Sequence, residues 1–178
     1  MDKRALRKRL LAERSEFAAN EGPFPAASAF RRRLHPGMVV ATYMPLAGEV
    51  DPYLFNLDVL ATLGELALPH VVDRATPLRF LHWRRDGELV RGPFGLLHPP
   101  AAASEMVPDV IVTPLIGFDR KGNRLGWGAG HYDRAFAVYP DAWRVGLAYS
   151  IQEVDTLPID SWDVPLHAIA TEKEWITP

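Results

Sequence analysis

Residues 110–116, Val-Ile-Val-Thr-Pro-Leu-Ile, run into a loop in which Gly126, Gly128 and Gly130 alternate with other residues. From His131 onward the pattern becomes helical. The β-branched run reads as a buried strand. The three glycines let the backbone take positive φ, so that several N–H groups can turn toward one point. A helix opened by His131 or Tyr132 adds unpaired N–H groups and the positive end of its dipole. Arg124 contributes a fixed cation and Asp133 a carboxylate within the first turn. A strand handed to a helix through such a loop is an α/β unit, and its loop suits an anion such as phosphate. Spacing alone leaves a second reading open, a plain glycine-rich turn with Asp133 complementing the helix dipole. The loop lacks the Gly-Lys-Ser/Thr ending of a P-loop and the spacing of a dinucleotide-binding turn.

The rest of the chain repeats the alternation. A helix is expected over residues 2–18, with Leu6, Leu10 and Phe17 on its apolar side, and another over 26–34. Strands are expected over 38–43, 65–68, 110–116, 145–149 and 168–171. Asp51-Pro52 should start a helix, aspartate at the cap and proline at the first helical position, and Gly64 should stop it. Residues 78–83 and 88–90, joined by Arg85-Asp86-Gly87, read as a hairpin, and 93–108 as a proline-rich loop. Alternating strands and helices predict an α/β fold: a single three-layer α/β/α domain over 1–178 with a mostly parallel central sheet. Ligands of such folds gather beyond the carboxyl ends of the strands. The loops over 43–51 and 117–130 both lie at such ends.

Composition removes other classes. The 178 residues are 48% hydrophobic and 24% charged, as in ordinary globular domains. Cysteine is absent, which rules out disulfides, thiolate nucleophiles and zinc–thiolate sites. The six histidines show no metal-binding spacing. A net charge of −2 argues against nucleic acid as a partner. No apolar run has the roughly 20 residues of a membrane span, and no secretory leader is visible, so a cytoplasmic location is expected; a monomer is the expected state, though nothing in the residues derives it.

The segment Gly117-Phe-Asp-Arg-Lys-Gly-Asn-Arg-Leu-Gly-Trp-Gly-Ala-Gly-His-Tyr-Asp-Arg134 closely resembles the signature of the 5-formyltetrahydrofolate cyclo-ligase family. Further family-like pieces follow the same order: Lys3-Arg-Ala-Leu-Arg7, Tyr43-Met-Pro-Leu-Ala-Gly-Glu-Val-Asp51, Leu68-Pro69, Phe94-Gly-Leu-Leu-His-Pro99, Trp162-Asp163 and Ala170-Thr-Glu172. The resemblance implies closure of 5-formyltetrahydrofolate to 5,10-methenyltetrahydrofolate, with ATP as co-substrate and Mg²⁺ as metal. It implies ATP contacts from Lys3, Arg4, Ala5, Leu6 and Arg7, and from Arg124, Leu125, Gly126, Trp127, Gly128, Ala129, Gly130, His131 and Tyr132. Arg124 would carry the main catalytic charge. Met44 and Glu49, with Trp127 to His131, would border the folate, and Asp133 and Asp163 would hold the metal. His98 and His131 depart from the usual family residues. Two other readings stay open from the residues: a nucleotide or folate binder of the same fold without turnover, and an ATP-dependent enzyme with a different substrate.

Overall fold

The computed structural model describes residues 2–178. Helix α1 spans Lys3–Ala18 and α2 Ser28–Arg31; strand β1 covers Val39–Ala41 and is followed by α3, Tyr53–Ala61. Next come β2 (Glu65–His70), β3 (Arg79–His82), β4 (Val90–Arg91), β5 (Leu97–His98), β6 (Val110–Pro114), β7 (Gly117–Phe118) and β8 (Arg124–Leu125). The chain closes with α4 (His131–Val138), β9 (Trp143–Leu147), β10 (Ala168–Ala170) and β11 (Trp175–Ile176).

Seven strands form one sheet in the order β11-β10-β9-β6-β1-β2-β3. Its five inner strands are parallel, and the edge strands β3 and β11 run antiparallel to their neighbours. Because inner strands are buried on both faces, successive residues feed two separate cores. Val40, Leu66, Leu68, Val110, Val112, Val145 and Leu147 pack with Phe30 of α2 and with Phe55 and Val59 of α3. Ala41, Ala67, Ile111 and Ile169 pack on the other face with Ala135 and Phe136 of α4. The expected three layers and mostly parallel sheet are therefore present.

Chain order reverses at the middle of the sheet: β1 leads to β2 on one side, while β6, β9 and β10 follow on the other. Loops leaving β1 and β6 consequently diverge and open a crevice at the strands' carboxyl ends. Helix α1 closes part of that end, with Leu6 and Leu10 buried against Ile116, Leu125 and Leu157. Asp2 caps α1, its Oδ1 accepting from the Ala5 N–H at 2.7 Å.

Several local expectations are corrected. The hairpin over 78–90 does not form, since β4 pairs with β5 and the free edge of β3 is taken by the proline-rich loop. There the N–H groups of His82 and Met106 bond the carbonyls of Ser104 and Phe80. Phe80 and Leu81 are both buried, so β3 needed cover that a short exposed partner strand could not supply. The helix expected over 26–34 is only Ser28–Arg31. Pro52 precedes rather than begins α3, although Asp51 still accepts from the Tyr53 N–H at 2.9 Å.

Candidate functional site

The crevice is a cleft of about 300 Å³ that gathers residues from segments distant in sequence. Lys3 and Arg7 come from α1, Met44 and Glu49 from the loop after β1, residues 124–133 from the glycine loop and the start of α4, and Asp160, Trp162 and Asp163 from the segment before β10. Leu96 and Leu97 also line it. No helix among the described residues is long and apolar enough to cross a membrane.

The glycine loop is positioned by a hairpin of β7 and β8. At its turn Asp119 is fully buried. Its carboxylate accepts from the backbone N–H groups of Lys121, Asn123 and Leu157 and from Asn123 Nδ2, at 3.0–3.1 Å. Gly122 has φ +82°, and a Cβ there would stand 2.7 Å from the Leu166 carbonyl. Asp119 and Gly122 therefore hold the turn and deliver Arg124 to the cleft, a structural job within the motif.

Gly128 (φ 95°) and Gly130 (φ 66°) adopt the positive φ expected of them. Gly126 does not and is corrected: its part is played by its carbonyl, which accepts from Arg7 Nε at 2.7 Å. Gly130 is the residue before α4, so the first-turn N–H groups of that helix open beside the loop. Arg124 Nη2 donates to Asp133 Oδ1 at 2.5 Å, and its guanidinium lies 5.0 Å from the Phe136 ring centre. Arg124 Nε is buried with no acceptor among the described residues. Burial first, then Arg134 and Arg74, keep the His131 imidazole below its ordinary pKa, so it presents a neutral ring at neutral pH.

Lys3 Nζ lies between two carboxylates, 2.6 Å from Asp160 Oδ2 and 2.8 Å from Asp163 Oδ2. Burial alone would raise the Asp163 carboxyl. The bonds from Lys3 and from the Asp160 N–H outweigh it and hold the group below its ordinary value. Burial likewise disfavours the Lys3 ammonium, but its two carboxylates raise its pKa. Among the described residues no three or more histidine or acidic side chains gather to cage a metal ion. Asp133 and Asp163 instead pair with Arg124 and Lys3.

On the far side, Glu49 is 8% exposed. Its Oε2 accepts from the Leu46 N–H at 2.9 Å and its Oε1 from Trp127 Nε1 at 3.2 Å. The Tyr43 hydroxyl donates to the Val50 carbonyl at 2.6 Å and closes the loop that carries Glu49 and Met44. Trp127 is 55% exposed, a flat wall at the cleft mouth.

Sequence reasoning placed most of these residues together but erred at the start of α1. The cleft lining takes Lys3 and Arg7 from α1 but not Arg4 and Ala5, which are exposed, or Leu6, which is buried in a core. It also missed Asp160, which carries no local signal, and Arg14. Arg14 did have a signal: it falls four residues after Leu10 and three before Phe17, within the apolar stripe.

Fold and site together define an α/β protein whose glycine loop and Glu49 side meet in one cleft at a strand-order reversal. Residues 1–172 match the model of the 5-formyltetrahydrofolate cyclo-ligase family. The 5-formyltetrahydrofolate cyclo-ligase of Escherichia coli strain K12 is 33% identical over 161 residues, 83% of this chain and 88% of that protein. The Haemophilus influenzae protein of the same name is 41% identical over 98 residues, a match that spans 52% of each chain. The solved structure of 5,10-methenyltetrahydrofolate synthetase from Aquifex aeolicus superposes with a TM-score of 0.75 at 31% identity, covering 99% of this chain and 93% of that one. The chain belongs to the 5-formyltetrahydrofolate cyclo-ligase family.

Proposed function

We propose that this protein closes 5-formyltetrahydrofolate to 5,10-methenyltetrahydrofolate with ATP as co-substrate. The formyl oxygen attacks the γ-phosphorus and ADP departs, giving a phosphorylated imidate. N10 then attacks the activated carbon, the ring closes and phosphate leaves. Phosphoryl transfer needs positioning and compensating charge more than a protein nucleophile. The observation that carries the reading is the meeting of Arg7, Arg124 and the glycine loop with Glu49 and Met44 across one cleft.

Within it, the N–H groups at the start of α4 and the guanidinium of Arg124 bind the phosphates, and Lys3 and Arg7 approach from α1. Glu49 accepts hydrogen bonds from the folate ring, while Met44, Leu97 and Trp127 exclude water from the formyl group. For Mg²⁺ the donor set fits. Asp160 and Asp163 already converge on one cation, the Lys3 ammonium, and Asp133 lines the same cleft. One or two carboxylates with substrate phosphates satisfy this ion. When bound, Mg²⁺ supplies charge neutralisation at the phosphates. Asp133 and Asp163 are the residues that would hold it. We expect the enzyme to act as a cytoplasmic monomer, and sedimentation of the purified protein checks its oligomeric state.

The test is incubation with 5-formyltetrahydrofolate and Mg-ATP, followed by the near-ultraviolet absorbance of the methenyl product. Binding of both compounds without product sinks catalysis and leaves a binder. ATP turnover that requires a different co-substrate moves the assignment to another substrate.

A further inference from the structure

Arg14 is a charged residue where α1 otherwise presents apolar side chains, and it is only 2% exposed. A buried arginine is costly to desolvate, and an apolar residue of similar volume would often serve packing as well or better. Its contacts say what it serves. Nη1 donates to the Leu115 carbonyl at 3.1 Å, just beyond β6. That carbonyl also accepts from Gln152 Nε2 at 2.7 Å, which ties the guanidinium to the end of the sheet. Gly48, in the loop after β1, lies against the same side chain, since a Cβ there would stand 3.7 Å from Arg14 Nε. Glu49 Oε1 is 3.9 Å from Nη1, and the Trp127 ring centre is 5.9 Å from the guanidinium carbon. Four segments that are distant in sequence thus meet at one cation.

We propose that Arg14 is a positioning residue of the cleft, acting through Glu49 and Trp127 rather than on the substrate. At 3.9 Å the guanidinium makes no hydrogen bond to Glu49 but supplies a counter-charge. A buried carboxylate left without a counter-charge is costly, and the loop that carries it shifts toward water. Arg14 thereby holds Glu49 where its Oε2 accepts from the Leu46 N–H and its Oε1 from Trp127 Nε1, and so fixes the indole that borders the substrate. The charged and titratable groups that face Glu49 are Arg14 from α1, Tyr43 from the end of β1 and Tyr132 from α4. Burial raises both phenols, so they stay neutral and Arg14 supplies the compensating charge.

The inference rests on the reading of Glu49 as a folate contact, and the test separates the two. In the full-length protein, Arg14→Met should raise the KM for 5-formyltetrahydrofolate by about tenfold while ATP affinity by calorimetry changes by less than about twofold. Arg14→Lys, which keeps the charge but not the planar guanidinium, should give an intermediate rise of about threefold. In a Glu49→Gln background, Arg14→Met should add less than about twofold, because the group it compensates is gone. Equal losses in both substrates, or a full tenfold loss in the Glu49→Gln background, would overturn the proposal and leave Arg14 a structural residue. Should Arg14→Met alone not fold, two other proteins decide. The Arg14→Met/Glu49→Gln pair must bind folate as Glu49→Gln does, and Arg14→Lys must raise the KM about threefold. A pair tenfold worse, or an unchanged Arg14→Lys, overturns it. Glu49→Gln with an unchanged folate KM sinks the underlying reading instead.

Discussion

Arg14 and Lys3 stand on the same helix about three turns apart, and each meets carboxylates from distant parts of the chain. Their surroundings differ. Arg14 and Glu49 are 3% exposed each at the side chain, whereas Lys3 and Asp163 are 24% and 23% exposed and Asp160 is 44% exposed. A pair shielded from water cannot exchange partners cheaply, because breaking it strands an uncompensated charge in a poorly polarisable site. A pair in contact with solvent can trade its partner for water, salt or another ion at little cost. The cleft is therefore built in two ways. Its Glu49 side is set before any ligand arrives, while its Lys3 side is held by contacts that a more highly charged ligand can replace.

The first way to break this contrast is Glu49→Ala. It should lower stability by about 3 kcal/mol, since Arg14 is left buried and unpaired, and raise the folate KM with ATP affinity nearly intact. Urea denaturation and steady-state kinetics measure the two effects. Loss of ATP affinity with an unchanged folate KM would show the two subsites exchanged.

Gly128→Val tests the loop between the two sides. The residue sits at φ 95°, and its new Cβ would be 3.4 Å from Arg7 Cζ. Strain at such a position is roughly 1 to 3 kcal/mol. ATP affinity should fall by that much in calorimetry with the far-ultraviolet circular dichroism unchanged, and normal affinity would make the loop a mere turn.

A third comparison replaces Lys3 and Arg7 together by alanine. Each should lose about 1 kcal/mol of ATP binding because both remain in contact with solvent, and the deficit should shrink as salt screens the wild-type contacts. Lys8→Ala with Arg9→Ala is the control, since both side chains face solvent. Equal ATP binding by the two double mutants would reduce α1 to a scaffold.

The smallest effect concerns pH. Asp163 has its folded pKa depressed below 3.8, so the stability it gains from Lys3 is present above that value and is lost as pH falls through the folded value. Lys3 has its pKa raised above 10.5, so its share is present below that value and is lost as pH rises through the folded value. Lys3→Met should thus cost about 1 kcal/mol or less near neutrality, with the gap from wild type closing at both extremes. A gap that persisted at low pH would remove the carboxylates as its cause.

Much of this was legible in the chain because the signals are local. Periodicity located the five inner strands, and the Gly128 and Gly130 positions announced a loop that only glycine adopts without strain. The cyclo-ligase signature tied Arg124, Glu49 and Lys3 to one site although they are far apart in sequence. What failed depended on partners that a local window cannot contain. The expected hairpin over 78–90 lost to pairing with the 104–106 segment, which covers two buried residues of β3. Arg4, Ala5 and Leu6, which the resemblance carried into the site with Lys3 and Arg7, are not among the residues that line the cleft.

By itself the sequence determined the alternation of strands and helices, the glycine loop and the family, since each is written in residue type and spacing over short windows. Only the tertiary structure decided which carboxylate pairs with which cation. Asp133, Asp160 and Asp163 are alike as residues, and so are Arg14 and its exposed neighbour Arg9. Burial and distance separate their roles, because the strength of a charge pair depends on the water it excludes, which is set by packing across the whole fold.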